Sequence, residues 1–356
     1  MPGRGWEELV RRVQEETARR YRENLLRPRP FHSVWAPLTV SAYEEAHQLK
    51  NTLLQECAGR SLLDFYSGEV HTTEYGPVLS LWETPPIKPF IPEREVGEAW
   101  IMQTLRLLHG IGKATEARLK LSGYVTLRDL LFHPRWAWQV ERILEAVERR
   151  DLHTLNHLVA RWFPVSHPIA LALLGFVKPE EIVFLDIETL GLYTEAVILI
   201  GLAYPQNGVL LVKHLVVREI AEELPVLVAL LKELQRAKAL VTYNGRAFDV
   251  NFIQARLRYY DLPHKIDLPN FDLLPFTRRC FRESLPNCRL ETVEKAISVE
   301  RTINIPSALV PEFYMEYLRE KNVGPLVAII EHNRQDLLSL VLILRKLWEE
   351  LVMRGL

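Results

Sequence analysis

The stretch VFLDIETLGL, residues 183–192, places two carboxylates, Asp186 and Glu188, one residue apart at the end of an apolar run. Alternate side chains of an extended strand share one face, so the two acids stand side by side if the stretch is a strand. Like charges at that spacing repel, and a divalent metal with oxygen ligands is the usual means of keeping both ionised. The bland alternative is an acidic strand end turning into solvent around Gly191. Asp-x-Glu is too common a tripeptide to decide between them.

Working outward, residues 182–186, 196–204 and 209–217 read as three strands, with turns at Gly191 and Asn207-Gly208. A helix over 220–236 and a strand over 239–243 follow. The order strand, strand, strand, helix, strand, helix predicts an α/β arrangement, a mixed sheet covered by helices. The fourth strand runs into YNGRAFD, where Gly245 lets the chain turn and Asp249 opens a helix to about Tyr260. Asp249 suits a first helical turn, where it would meet free N–H groups and the macrodipole; it is equally a candidate third metal ligand.

The last long helix, 325–351, contains IIEHNRQDLLSLVLIL. Asp336 lies between helical neighbours that face the core, a costly place for a carboxylate without a partner. His332, one turn earlier on the same face, has the side chain whose ordinary pKa suits proton transfer near neutrality. A lone helical histidine also serves as surface or core filler, but its spacing to Asp336 favours a role beside the acid.

Upstream, AWIMQTLRLLHGIGKATEARLKL shows helical spacing to Leu108, a break at Gly110-Ile111-Gly112, and a second helical run over 113–121. Residues 101–150 hold nine Lys/Arg against five Asp/Glu, a local net charge of +4. HGIGKATEARL resembles the hairpin of the helix-hairpin-helix family, with a partial second unit at Gly123-Tyr124. That resemblance implies backbone N–H groups at Gly110 and Gly112, with Lys113 beside them, meeting a nucleic-acid phosphate. An αα-hairpin that merely packs two helices remains the alternative. Before it, SGEVHTTEYGPVLSLWET reads as a β-hairpin around Tyr75-Gly76-Pro77, and the four prolines of TPPIKPFIP mark a stiff linker. The amino terminus begins with the charged, helix-like WEELVRRVQEETARRYRENLL, followed by the loop-like RPRPFHSVWAPL.

Composition narrows the classes. With 356 residues, 48% hydrophobic and 25% charged, the chain has material for two or three folded domains and is not of disordered type. No apolar run spans a bilayer and no secretory signal is visible. Three cysteines without a Cys-x-x-Cys favour neither a disulfide framework nor a thiolate zinc site, and suggest a reducing, cytoplasmic location. The net charge of −1 argues neither for nor against nucleic acid, since local patches matter more.

Taken in order, FLDIETLGL, YNGRAFD and HNRQD carry four acids and a histidine. That succession resembles the DEDD superfamily of 3′-to-5′ exonucleases on the ribonuclease H-like fold, most closely its YprB-like branch, over about residues 180–348. The resemblance implies a ribonuclease H-like mixed sheet flanked by helices over 175–356. Preceding it would be a small α-helical helix-hairpin-helix domain over 96–174 and an α+β segment over 1–95. It also implies two Mg²⁺ or Mn²⁺ ions. By family position Asp186 would bridge them, Glu188 and Asp336 would hold the nucleophile-side ion, Asp249 would reach the other chiefly through water, and His332 would be the general base. Thr189, Leu190, Tyr243, Asn244 and Phe248 would line the nucleic-acid path, with stacking that tolerates any base. In that superfamily a histidine base usually stands five residues before the last Asp and a tyrosine four; here a histidine takes the tyrosine spacing. Asp267, Asp272 and Glu291 read as structural or solvated acids.

The expected activity is therefore metal-dependent removal of nucleotides from 3′ ends, DNA being favoured and RNA possible as substrate. A catalytically inactive nucleic-acid-binding protein and a ribonuclease H-like endonuclease are the alternatives.

Overall fold

The structure, a computed structural model, describes residues 40–191, 195–262, 265–301, 303 and 305–354. The charged run and loop expected over 6–38 lie outside the described residues. A helix, α1 (Val40–Glu56), leads to the hairpin β1 (Ser67–Thr73) and β2 (Gly76–Glu83). After an irregular proline-containing stretch come α2 (Arg94–Gln103), α3 (Lys113–Leu121), α4 (Ala137–Glu148), α5 (Leu152–Trp162) and α6 (Pro168–Ala172). The second half holds β3 (Ile182–Thr189), β4 (Val197–Gln206), β5 (Val209–Val216), α7 (Glu223–Leu234), β6 (Ala239–Thr242) and α8 (Asp249–Tyr259). It closes with β7 (Asn270–Asp272), α9 (Leu273–Phe281), α10 (Leu290–Ala296), α11 (Val310–Glu320) and α12 (Gly324–Leu347).

The strands form one seven-stranded sheet in the order β1-β2-β5-β4-β3-β6-β7. The first five are antiparallel to their neighbours, whereas β6 and β7 continue in parallel from β3. A strand buried on both faces reads as a continuous apolar run, which is what IVFL in β3 and VILIGLAY in β4 show. Asn207 and Gly208 both take positive φ, 51° and 80°, the geometry that a two-residue hairpin between β4 and β5 requires.

The amino-terminal hairpin belongs to this sheet. Leu79 to Glu83 of β2 pair with Val212 to Val216 of β5. It therefore extends the sheet that carries Asp186 rather than standing apart from it.

Helices cover both faces. On one, α7 and α8 pack over β3, β4 and β6 through Leu227, Leu230, Ile253 and Leu257. On the other lies α12, about 36 Å long at 1.5 Å per residue and buried along most of its 24 residues. Its carboxy-terminal half joins α9, α10 and the helices of 94–176 in one continuous core, and Trp100 Nε1 donates to Val352 O. Its amino-terminal half packs with α1 and α11. Gly324 permits the close approach to α1, since a Cβ there would stand 2.5 Å from Leu53 O. No helix among the described residues is long and apolar enough to cross a membrane.

Candidate active site

Three elements bring the acids together. The carboxy-terminal part of β3 carries Asp186 and Glu188, on the same face of the strand. At their level the register with β4 shifts between Glu188 and Thr189, a bulge of the kind that re-aims side chains. Asp249 is the first residue of α8. Its Oδ1 accepts from Ile187 N at 3.2 Å, so a β3 amide fixes it. His332 and Asp336 come from the middle of α12. His332 Nε2 lies 3.6 Å from Asp336 Oδ2 and 3.9 Å from Glu188 Oε1. Donor atoms of Glu188, His332 and Asp336 all fall within 4.8 Å of one another, and all three residues are buried.

Burial first, then the charges of Asp336, Asp249 and Glu188, raise the Asp186 carboxyl well above the usual carboxylate range. Burial and Asp336 do the same for Glu188. Burial pushes Asp249 up to about 7, against the backbone N–H groups that favour its charged form. These are groups short of positive charge. For His332 burial dominates over the pull of Asp336 and holds the imidazole neutral, with Arg301 acting in the same direction.

The cation within reach is Arg301, which sequence reasoning missed. Its Nη2 donates to Asp336 Oδ1 at 2.5 Å and to Glu294 Oε1 at 2.8 Å, and its Nε to Glu294 Oε2 at 2.7 Å. Ser339 Oγ donates to the same Glu294. Arg301 Nη1 also faces His332 Nδ1 at 3.2 Å. A guanidinium can only donate, so Nδ1 accepts and the neutral ring carries its proton on Nε2, beside Ser307 Oγ at 3.3 Å. Nothing in the spacing of SVERTIN announced this arginine. Asn333, inside the quoted HNRQD but given no role there, donates from Nδ2 to Asp186 Oδ2 at 2.7 Å.

One guanidinium stands against four clustered carboxyl groups and Glu294, so ionising the four together would leave a buried excess of negative charge. Oxygen-only acids in that balance fit divalent cations of the Mg²⁺ or Mn²⁺ type.

The other expected residues have contacts of their own. Thr189 Oγ1 donates to Gly191 O at 2.6 Å, while Leu190 is buried in the core shared with α11 and the first half of α12. Tyr243 donates its hydroxyl to Cys288 O at 2.7 Å. Asn244 is exposed with φ 65°, and its N–H donates to Asp272 Oδ1 at 2.7 Å. Phe248 is half-buried against Phe252, ring centroids 5.4 Å apart. Asp272 also receives N–H groups from Arg246 and Leu274, so this acid is structural.

Gly110, Gly112 and Lys113 are exposed at the turn into α3, in the half of the chain that precedes the acid-bearing strands. Gly110 has φ 88°, Gly112 is the N-cap of α3, and Arg135 reaches toward Gly110.

No curated protein matches the chain. Residues 183–348 match the model of RNase_H_2, a family of the RNase H superfamily. The mixed sheet flanked by helices is the architecture of the ribonuclease H-like fold, and the matched residues include Glu188, His332 and Asp336, a carboxylate and histidine cluster that could hold a metal ion.

Proposed function

We propose that the protein is a metal-dependent 3′-to-5′ exonuclease. The observation that carries the reading is that donor atoms of Glu188, His332 and Asp336 lie within 4.8 Å of one another, and that Asp186 is buried in the field of Asp336, Asp249 and Glu188. An inactive binding protein has no need to bear the cost of burying four like charges together.

Asp186, Glu188, Asp249 and Asp336 would hold two Mg²⁺ or Mn²⁺ ions. Bound there, such cations polarise a phosphodiester and make water acidic enough to attack it. The α8 amino terminus and the Ile187 amide orient Asp249, and the α12 backbone keeps His332 and Asp336 one turn apart. His332 is assigned the proton of the attacking water, accepted at Nε2. That role requires the ring proton on Nδ1, and so requires Arg301 Nη1 to turn away from it. Tyr243, Asn244 and Phe248 border the path of the strand. The exposed hairpin of Gly110, Gly112 and Lys113, in a segment of net charge +4, would hold the nucleic-acid backbone without reading sequence.

Matched single-stranded DNA and RNA oligonucleotides, incubated with Mg²⁺ or Mn²⁺, test the reading. A ladder that shortens from the 3′ end and stops at a blocked 3′ terminus is expected. Asp186→Asn should lower turnover on the order of 10³-fold or more, the several kcal/mol that such electrostatic stabilisation is worth, with an unchanged circular dichroism spectrum. Cutting of circular substrates would instead indicate an endonuclease, and binding without shortening a non-catalytic module.

His332→Ala separates base from ligand. Loss of about 10²- to 10⁴-fold in turnover with unchanged Mn²⁺ affinity is the expected result for a base. Weakened Mn²⁺ binding would make His332 a ligand.

A further inference from the structure

Asp186 of β3, Gly201 of β4 and His214 of β5 are direct neighbours across the sheet. Laterally paired residues point to one face, here the face covered by α12. Asn333 of α12 sits directly over the middle of this row: a Cβ on Gly201 would come within 1.8 Å of Asn333 Oδ1. The missing side chain of Gly201 is therefore the space into which the Asn333 amide fits.

That amide is fully buried, with an exposure of 0%, and His214 has 2%. Nδ2 is committed to Asp186 Oδ2 at 2.7 Å, which fixes the flip of the amide and turns Oδ1 toward the sheet. Asn333 Oδ1 and His214 Nε2 are two of the few buried side-chain atoms without a hydrogen-bond partner among the described residues. One is an acceptor, the other a ring nitrogen that can donate. Burial and then the Arg334 charge keep His214 neutral, its pKa lowered to about 3, with the Asn333 side chain pulling the other way. The neutral ring can donate from Nε2 only in the tautomer that places its proton there, and a small shift of the amide would meet it.

We propose that Asn333, backed by His214, is the positioning residue of the acid cluster: its amide locks the rotamer of the Asp186 carboxylate from behind, and His214 locks the amide. The inference rests on the metal-site reading above and adds residues that touch neither metal nor substrate. An aspartate that would otherwise swing in the field of three other acids is held by a neutral donor, which adds no charge to compete with a cation. Groups that orient a metal's ligands in this way matter to affinity nearly as much as the ligands do. Gly201 serves the same device by leaving room for it.

The test uses the full chain and Mn²⁺ alone, its binding followed by calorimetry and electron paramagnetic resonance without nucleic acid, with turnover measured in parallel as Mn²⁺ is raised. Asn333→Leu keeps the branched shape and the number of heavy atoms and removes the donor. It should weaken Mn²⁺ binding about 10- to 100-fold, the range typical of such outer partners, and its turnover should recover at high Mn²⁺. A purely packing role would not produce that recovery. His214→Leu should weaken Mn²⁺ binding in the same direction and His214→Gln, which retains a donor, should restore it; this pair keeps the test decisive if Asn333→Leu does not fold.

Mn²⁺ affinity within twofold of the unaltered protein in both Asn333→Leu and His214→Leu overturns this inference and leaves the exonuclease reading standing. Failure of the unaltered protein to bind Mn²⁺ overturns both.

Discussion

Arg301 places a positive charge against the acid cluster, and its side chain is only 9% exposed. Burial alone would make the guanidinium harder to charge, yet Asp336 and Glu294 more than offset this and hold it protonated. Removing one member of a buried ion network strands the others. Arg301→Met should therefore cost about 3–5 kcal/mol in urea unfolding under chelating conditions. Mn²⁺ should recover part of that loss by neutralising Asp336. An unchanged unfolding midpoint would show that the network contributes nothing to the fold. The acids themselves predict a pH dependence. The Asp249 carboxyl is raised from 3.8 to about 7, and Asp186 and Glu188 move in the same direction. A raised acid favours the folded state fully below its unfolded pKa, and that contribution is lost as pH rises through the folded value. In chelator, the melting temperature should fall by several degrees between pH 5.5 and pH 8.5, and Mn²⁺ should flatten the decline. A curve that Mn²⁺ leaves unchanged would contradict the metal site. At this scale three of the candidate ligands stood out in a local pattern, Asp186 and Glu188 at the end of IVFL and Asp336 on an apolar helix stripe, whereas Asp249 suited an ordinary first helical turn. Arg301 and Asn333 were not. Their partners Asp336 and Asp186 lie 35 and 147 residues away, and no spacing records such a contact.

Among the elements, the turn into α3 depends on a left-handed backbone at one glycine. Gly110 has φ 88°, and a Cβ there would meet Arg135 Nη2 at 3.1 Å. Gly110→Ala should destabilise the protein by about 1–2 kcal/mol through the left-handed backbone. If the proposed phosphate contact is made here, the same variant should weaken oligonucleotide binding several-fold and lessen its salt dependence while turnover at saturating substrate is kept. Fluorescence anisotropy across a salt series reads this directly. The helical runs over 113–121, 220–236, 249–260 and 325–351 and the β4–β5 hairpin were visible as patterns because each is closed by local hydrogen bonds or by Asn207-Gly208. β7 was not: Asn-Phe-Asp has no strand-forming run, and it is extended because Leu240 to Thr242 pair with it in parallel. The shift in register at Glu188 is equally silent, since it depends on which β4 residue lies opposite.

For the whole molecule, one sheet joins the hairpin of residues 67–83 to the strands of the second half. β2 covers the edge of β5, and Val78, Leu79 and Leu81 are buried with it. A fragment beginning at residue 96 would leave that edge unpaired and its apolar face open to water. Such a fragment should aggregate or lose its cooperative thermal transition, whereas the full chain should melt in one step. A soluble, cooperatively melting fragment would mean that the hairpin is an accessory.

By its own pattern the chain specified an α/β domain, the elements that carry the site and the acids that give it charge, because periodicity, turn residues and a carboxylate on an apolar stripe are local signals. Only tertiary structure decided that the early hairpin completes the sheet, that Arg301 is the resident counter-charge and that Asn333 holds Asp186. These are contacts between residues remote in sequence, fixed by how strands pair and helices pack once the core closes, and no local preference encodes them.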